Sequence, residues 1–381
     1  MKTIGIYLGK YMPSVTTGEH HWDGDTVASG MGGSETWAYE VGKRLPDYGY
    51  EVTIYADPEY DHDPCPNFHL VSYQRYIHDV LNKEYDYFIY SRYAGVDSIS
   101  PYLKCHNVYV MVHDICVVTP DHIPSQIGLT RVKKYAYLSD WHKDYLLSIY
   151  NDMGLKESQL YKVSNGYSAE YYKDVDLDKK ENCMLWSSSL ARGFEDLYEY
   201  IVYPILQEIP DFKLYVCTGT IAPKDHAMLQ KAMMMPGVEV LGKLPKSVLA
   251  EYQKKSKIWV YAGCFPETFC ITAVENANAG NVIISPLSYG LNTTLKDIPY
   301  LKDLNLDILD KDNAEQYLKL ALEILKDDNK RKELANQCLN GCRDFSWDRA
   351  AREIVDMIQT DKPTEKDIYN YFAEVLQNNE E

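Results

Sequence analysis

Apolar and polar positions along this chain follow two alternating periods. Short apolar runs, TIGIYLG from Thr3, EVTIYA from Glu51, DYFIYS from Asp86 and VYVMVH from Val108, stand apart from stretches of helical spacing such as SETWAYEVGKRLPDYG, Ser34 to Gly49. Runs of this length bounded by turn residues read as buried strands, and their alternation with helices predicts βαβ units and a parallel sheet covered on both faces. A long polar loop, Lys10 to Met31, separates the first strand from the first helix. After Lys180 the series CMLWSSS, FKLYVCTG, GVEVLGKL, KIWVYAG and NVIISP predicts a second sheet. Between the two series, SNGYSAEYYKDVDLDKKEN breaks the pattern with turn residues and charge, which places the join near Val163 to Lys180. In the tail, Ile368, Tyr371, Phe372, Val375 and Leu376 fall on one helical face that must pack against something.

Length and composition agree with two cores: the chain has 381 residues, 45% of them apolar. A formal net charge of -17 and a pI near 5.0 oppose a nucleic-acid partner, which needs basic surface and counterion release, and oppose docking on an anionic leaflet. The one basic cluster of note, Arg131, Lys133 and Lys134 in TRVKKYAYLSDWHK, reads as a solvated helix face, with contact to an anionic or lipid-linked acceptor as the alternative. No apolar run approaches the roughly 20 residues of a transmembrane segment, and MKTIGIYLGKYMP reads as a strand rather than a secretion signal, so a cytoplasmic protein is expected. Nine cysteines without metal-type pairing fit a reducing compartment, and Cys338 and Cys342, one helical turn apart, read as packing residues. The 34 tyrosines are unusual in number and point to no function of their own.

Candidate chemistry concentrates in PETFCITAVENANAG, Pro266 to Gly280, which lies between two apolar runs and predicts strand, loop, helix, strand. The helix start near Phe269, Cys270 and Ile271 presents unpaired amides and a positive dipole end, suited to a diphosphate. Glu267 in the preceding loop would reach sugar hydroxyls, and Glu275, about two turns on, would hold a ribose diol. The other reading is that Glu267 serves the helix dipole and Glu275 is a solvated helix residue. Gly32 and Gly33 permit close backbone approach at the first strand-helix turn, or simply a turn; GMGGSE lacks the dinucleotide spacing, which opposes an NAD enzyme. His113 ends an apolar strand and is placed either as a structural residue or to face a sugar. EHHWDGD, Glu19 to Asp25, and DHD, Asp61 to Asp63, are poor metal cages, and no metal site is expected.

Several segments together resemble the retaining glycosyltransferases of family 4, and more loosely the members encoded by large DNA viruses. The segments are MGGSETWAYEVGKRLPDYGYEVTIYA, VYVMVHDI, YAYLSDWHKDYL with YKVSNGYSAEYY, SSSLARGFEDL, PETFCITAVENANAG and FSWDRAAREIVDMI, in the family's order. The resemblance implies an α/β fold of two facing Rossmann-like domains (GT-B), residues 1–170 and 171–361, with a C-terminal helix, 362–381, crossing back to the first. It implies a hexosyltransferase moving a hexose from GDP-mannose or UDP-glucose to a hydroxyl of a glycan or glycoconjugate, without a protein nucleophile, a cofactor or a required divalent metal. It makes His113, Arg192 and Glu267 catalytic, and gives donor binding to Gly32, Gly33, Ser188, Arg192, Leu244, Glu267, Thr268, Phe269, Cys270, Ile271 and Glu275. Arg192 is expected to open a helix. Ser187, Ser188 and Ser189 stand where the family carries a second cation, a gap that Lys243 or Lys246 would fill. The alternatives are a sugar-nucleotide epimerase of the same fold and a non-catalytic nucleotide-sugar-binding protein; a homo-oligomer is compatible with either.

Overall fold

The computed structural model of the protein describes residues 1–9, 32–58, 60–92, 102–115, 132–218, 226–263 and 265–360. In the first half, β1 (Lys2–Tyr7), β2 (Tyr50–Ala56), β3 (His62–Cys65), β4 (Phe68–Ser72), β5 (Tyr87–Ser91), β6 (Val108–Met111), β7 (Val132–Tyr137) and β8 (Leu160–Lys162) form one sheet. Its order is β3-β4-β2-β1-β5-β6-β7-β8, parallel except for the β3–β4 pair. From β1 the chain moves outward through β2 and β4, then returns to β5 on the other side of β1, so a topological switch point lies between β1 and β5. Ligands of open α/β sheets bind beyond the strand C-termini at such points.

The second half is built on β9 (Cys183–Trp186), β10 (Lys213–Val216), β11 (Val238–Val240), β12 (Ile258–Val260) and β13 (Val282–Ile284), paired in parallel as β11-β10-β9 and β12-β13. The Lys257 amide donates to the Cys183 carbonyl at 3.1 Å, and Glu181 bridges Ser256, which brings β12 beside β9. The two halves are thus two Rossmann-like α/β units.

Two local expectations are corrected. Ser34 to Gly49 is not one helix: helix Gly33–Gly42 ends, and a 3-10 turn, Leu45–Tyr48, follows with Pro46 in its first turn, where proline has no amide to extend a helix. The segment with Lys133 and Lys134 is strand β7, not a helix face; Lys133 Nζ donates to Asn107 Oδ1 at 2.7 Å and Lys134 Nζ to the Ser158 carbonyl at 2.6 Å, so both heads leave the sheet while Tyr135, Ala136 and Tyr137 stay buried. Asp61 and Asp63 of the DHD segment bind Arg75 and His69 at the sheet edge. The loop Lys10 to Met31 with its EHHWDGD cluster, Arg131, and the tail 362–381 lie outside the described residues.

Return to the first half is made by helix Trp347–Thr360. Asp348 Oδ1 accepts from Arg44 Nε at 2.8 Å, and Glu353 Oε2 accepts from the Ser164 amide and hydroxyl at 2.6 and 2.7 Å. The two chain crossings run side by side, with the Tyr167 amide donating to the Phe345 carbonyl at 3.0 Å. Cys338 and Cys342 are buried, as packing residues should be. No helix among the described residues is long and apolar enough to cross a membrane.

Candidate active site in the cleft

The C-terminal ends of β5 and β6 from one half, and of β9, β10, β11 and β12 from the other, open on one cavity of about 590 Å³. That volume lies within the usual range for small-molecule sites. Each residue expected to act in catalysis or donor binding lines it: Gly32, Gly33 and His113 from the first half; Ser188, Arg192 and Leu244 from the turns after β9 and β11; Glu267, Thr268, Phe269, Cys270, Ile271 and Glu275 from the loop and helix after β12.

The helix after β12 runs Ile271–Asn278 and starts from Cys270 in the left-handed region (φ 71°), a conformation costing a residue with a Cβ about 1–2 kcal/mol. This sharp entry sets Glu267 in the loop and Glu275 just over one turn into the helix, closer than the expected two turns. Glu275 is only 4% exposed, so it is not a solvated helix residue. Its Oε1 accepts from Lys246 Nζ at 2.6 Å and its Oε2 from Gln253 Nε2 at 3.3 Å, while Gln253 Oε1 accepts from the Tyr172 hydroxyl at 2.5 Å. Glu267 has a different partner: Oε1 accepts from Arg192 Nη1 at 2.6 Å, and the Arg192 guanidinium lies 4.0 Å from the Phe265 ring centroid. Burial pushes the Glu267 carboxyl above its ordinary value, and Arg192 opposes part of that shift. Each carboxylate therefore has its own cation, which lets two acids share one cavity.

Arg192 closes a 3-10 turn, Leu190–Arg192, instead of opening a helix; helix Phe194–Leu197 follows Gly193. The serine loop before it is fixed by Trp186, whose Nε1 donates to the Ser188 carbonyl at 2.9 Å. Ser187 Oγ is buried on the cavity wall without a partner. Lys243 and Lys246 both line the cavity, and burial lowers the Lys243 ammonium from its ordinary value while Glu35 of the first half opposes the shift. Leu244, Leu249 and Cys217 form an apolar wall beside them.

On the other side, Gly32 caps helix Gly33–Gly42 in an extended conformation, so no left-handed turn is needed there. Its lack of a side chain matters for space: a Cβ would stand 2.3 Å from Glu35 Oε2. His113, two residues past β6, has Nε2 3.1 Å from Ser91 Oγ and lies edge-on to Trp37 with centroids 5.2 Å apart. Burial, then the nearby Arg92 and His142, bring its pKa down to about 3, so the imidazole is neutral at physiological pH. The His113 carbonyl accepts from Thr268 Oγ1 at 2.8 Å, tying the two halves together at the cavity wall.

Three elements of the site are absent from the sequence reading. Arg92, at φ 85° just past β5, donates to Asp114 Oδ2 at 3.1 Å and lies 3.7 Å from Glu35 Oε1. Its signal was position, since it follows β5 as His113 follows β6. Buried His142 takes the Leu138 amide on Nδ1 at 3.3 Å and so carries its proton on Nε2, which donates to the Asp114 carbonyl at 3.0 Å. The support of Glu275 by Lys246, Gln253 and Tyr172 is the third. No group of side chains suited to a metal ion occurs among the described residues.

No family model matches the chain, and no curated protein matches it in sequence. Solved structures do. Sucrose-phosphate synthase from Thermosynechococcus elongatus superposes with a TM-score of 0.66 at 13% identity, over 94% of this chain and 99% of that one. The catalytic domain of starch synthase IV from Arabidopsis thaliana, bound to ADP and acarbose, gives 0.66 at 12% identity over 94% and 99%. Anabaena HepE in complex with UDP-glucose gives 0.65 at 12% identity over 94% and 100%. At such identities the likeness is one of fold, and the fold of this chain is GT-B, two Rossmann-like domains facing one cleft.

Proposed function

We propose that this protein is a retaining hexosyltransferase that moves a hexose from GDP-mannose or UDP-glucose to a hydroxyl of a glycan acceptor. The observation that carries the reading is the convergence in one cleft of Arg192, the Ile271 helix start and two separately neutralised carboxylates, Glu267 and Glu275. Solved structures of the same fold hold UDP-glucose in one case and ADP with acarbose in another.

In this reading the diphosphate takes Arg192, the helix amides and a serine hydroxyl of the β9 turn, with Lys243 or Lys246 supplying the second cation. Glu275 holds the ribose, the Leu244 wall faces the base, and Glu267 aligns the sugar. The bond from the anomeric carbon to the phosphate oxygen breaks, the acceptor oxygen bonds to that carbon on the same face, and the departing phosphate oxygen takes the acceptor proton. His113 meets the sugar as a neutral hydrogen-bonding group rather than as a cation. Protein catalysis is then positional and electrostatic, inside a cleft that keeps water from the donor.

Calorimetry with GDP-mannose, UDP-glucose and ADP-glucose tests this. One donor should bind the wild type, and Arg192→Ala and Glu275→Ala should each weaken it by roughly tenfold or more, the loss of about one charge-assisted contact. Wild-type affinity in both variants refutes the site. Incubating the donor alone separates the alternatives, because an epimerase returns the isomeric sugar nucleotide, while slow release of free hexose marks a transferase lacking its acceptor.

A further inference from the structure

We propose that Arg192 is held in turn by Glu267 and by the donor diphosphate, so that Glu267 discriminates against a nucleoside diphosphate that sits in the cleft without its sugar. The inference rests on the donor reading above and adds a coupling between its phosphate and sugar subsites.

The geometry begins with the 2.6 Å pair of Arg192 Nη1 and Glu267 Oε1, steadied by the Phe265 ring 4.0 Å from the guanidinium carbon. Among the described residues no other cation is paired with Glu267. Lys246 is engaged by Glu275 at 2.6 Å, and Lys243 senses Glu35 across the cleft. The other titratable group that faces Glu267 is the Cys270 thiol at the helix start, which burial raises and so keeps neutral. Whatever draws Arg192 away therefore leaves Glu267 as a part-buried carboxylate beside a new anion.

A diphosphate, with more charge than a carboxylate and geometry suited to bidentate contact, is the stronger claimant on a guanidinium. With an intact donor, a sugar hydroxyl can replace Arg192 on Glu267 and the exchange is balanced. With a bare nucleoside diphosphate no such donor arrives, and Glu267 must either remain an unpaired anion or take a proton from solvent. The sign follows. Losing Arg192 raises the carboxyl further, so diphosphate binding takes up protons, and its affinity falls as pH rises through the window between the two values. The same penalty appears after transfer, when the sugar has left and only the nucleoside diphosphate remains, and it favours product release.

Titration of the full chain with GDP and UDP, in buffers of differing ionisation enthalpy from pH 5.5 to 8, reads the proton count directly. The terminal phosphate also titrates near pH 6, so the diagnostic is the difference between wild type and the isosteric Glu267→Gln, whose amide stays neutral. We expect the wild type to take up more protons than the variant. We also expect the variant to bind the nucleoside diphosphate more tightly at pH 8, by roughly fivefold or more, an ordinary size for coupling between sites. It should bind the intact nucleotide-sugar no more tightly. Equal proton counts, or unchanged diphosphate affinity in a variant that still folds, overturn the coupling while leaving the donor site standing. Failure of the wild type to bind any of these nucleotides or their sugars overturns both.

Discussion

Two histidines show how strongly single residues here are set by their surroundings. Burial holds His113 at about 3 and His142 at about 4, against an ordinary value near 6.5. Both are neutral in the folded protein, whereas the unfolded chain protonates them below about 6.5. Their contribution to stability is therefore complete above that pH and is lost as pH falls toward the folded values, at about 1.4 kcal/mol per pH unit for each. Urea unfolding between pH 7 and pH 5 should show stability declining on acidification. His142→Gln, outside the cavity, should shallow that slope by about 1 kcal/mol per pH unit averaged over this window; an unchanged slope would mean that His142 charges in the folded state. At the same scale, Glu275 illustrates why residue type alone did not decide its role. A glutamate in a helix is solvated by default, and only the packing of Lys246, Gln253 and Tyr172 around it makes burial tolerable.

Among the elements, the turn after β9 carries the tightest constraint on the site. Gly193 adopts φ 98°, and a Cβ there would stand 2.3 Å from the Ala262 carbonyl oxygen at the end of β12. Neither the dihedral nor a backbone neighbour yields easily. Gly193→Ala should cost about 1–3 kcal/mol and displace Arg192 enough to weaken donor binding, while Ala191→Gly, at an exposed position of the same turn, should leave affinity near wild type. Thermal melts with calorimetry on both variants check this. The contrast bears on what could be read in advance. Strands β9 to β13 were visible because each is a short apolar run closed by turn residues, and the helix start at Cys270 was visible because a strand, a proline loop and an apolar helix follow in order. Strand β7 was hidden because Lys133 and Lys134 interrupt its apolar face, and β3 because HDPC lies at an edge where burial imposes no alternation. The second support of Glu275 was illegible for another reason: Tyr172 and Gln253 are separated by 81 positions, and only tertiary packing joins them.

At the scale of the whole molecule, each half has an apolar cluster of its own, around Phe88 and Val110 in the first and around Leu214 and Ile324 in the second, and the cleft depends on a third that both share. One continuous apolar cluster contains Ile4, Val52 and Ile89 of the first sheet together with Ala273, Ile283 and Ile354 of the second half. Polar ties across the same boundary reinforce it: Thr268 to the His113 carbonyl, and the Asp140 amide to Thr293 Oγ1 at 3.1 Å. Domain interfaces that are small and polar allow independent unfolding, whereas large apolar ones couple the parts. Trp347, 1% exposed at the start of the returning helix, sits where the two chain crossings meet, and a Cβ on Gly166 would come within 2.4 Å of its amide nitrogen. Trp347→Ala removes a large buried ring and should cost about 3–5 kcal/mol. Because that ring belongs to the shared cluster, scanning calorimetry should show one transition for the wild type and one, at lower temperature, for the variant. If the variant instead splits into two transitions, with one remaining at the wild-type temperature, the halves unfold independently on their own clusters and the returning helix merely docks. A single displaced transition would mean that the cleft is held in register by the same contacts that keep the chain folded.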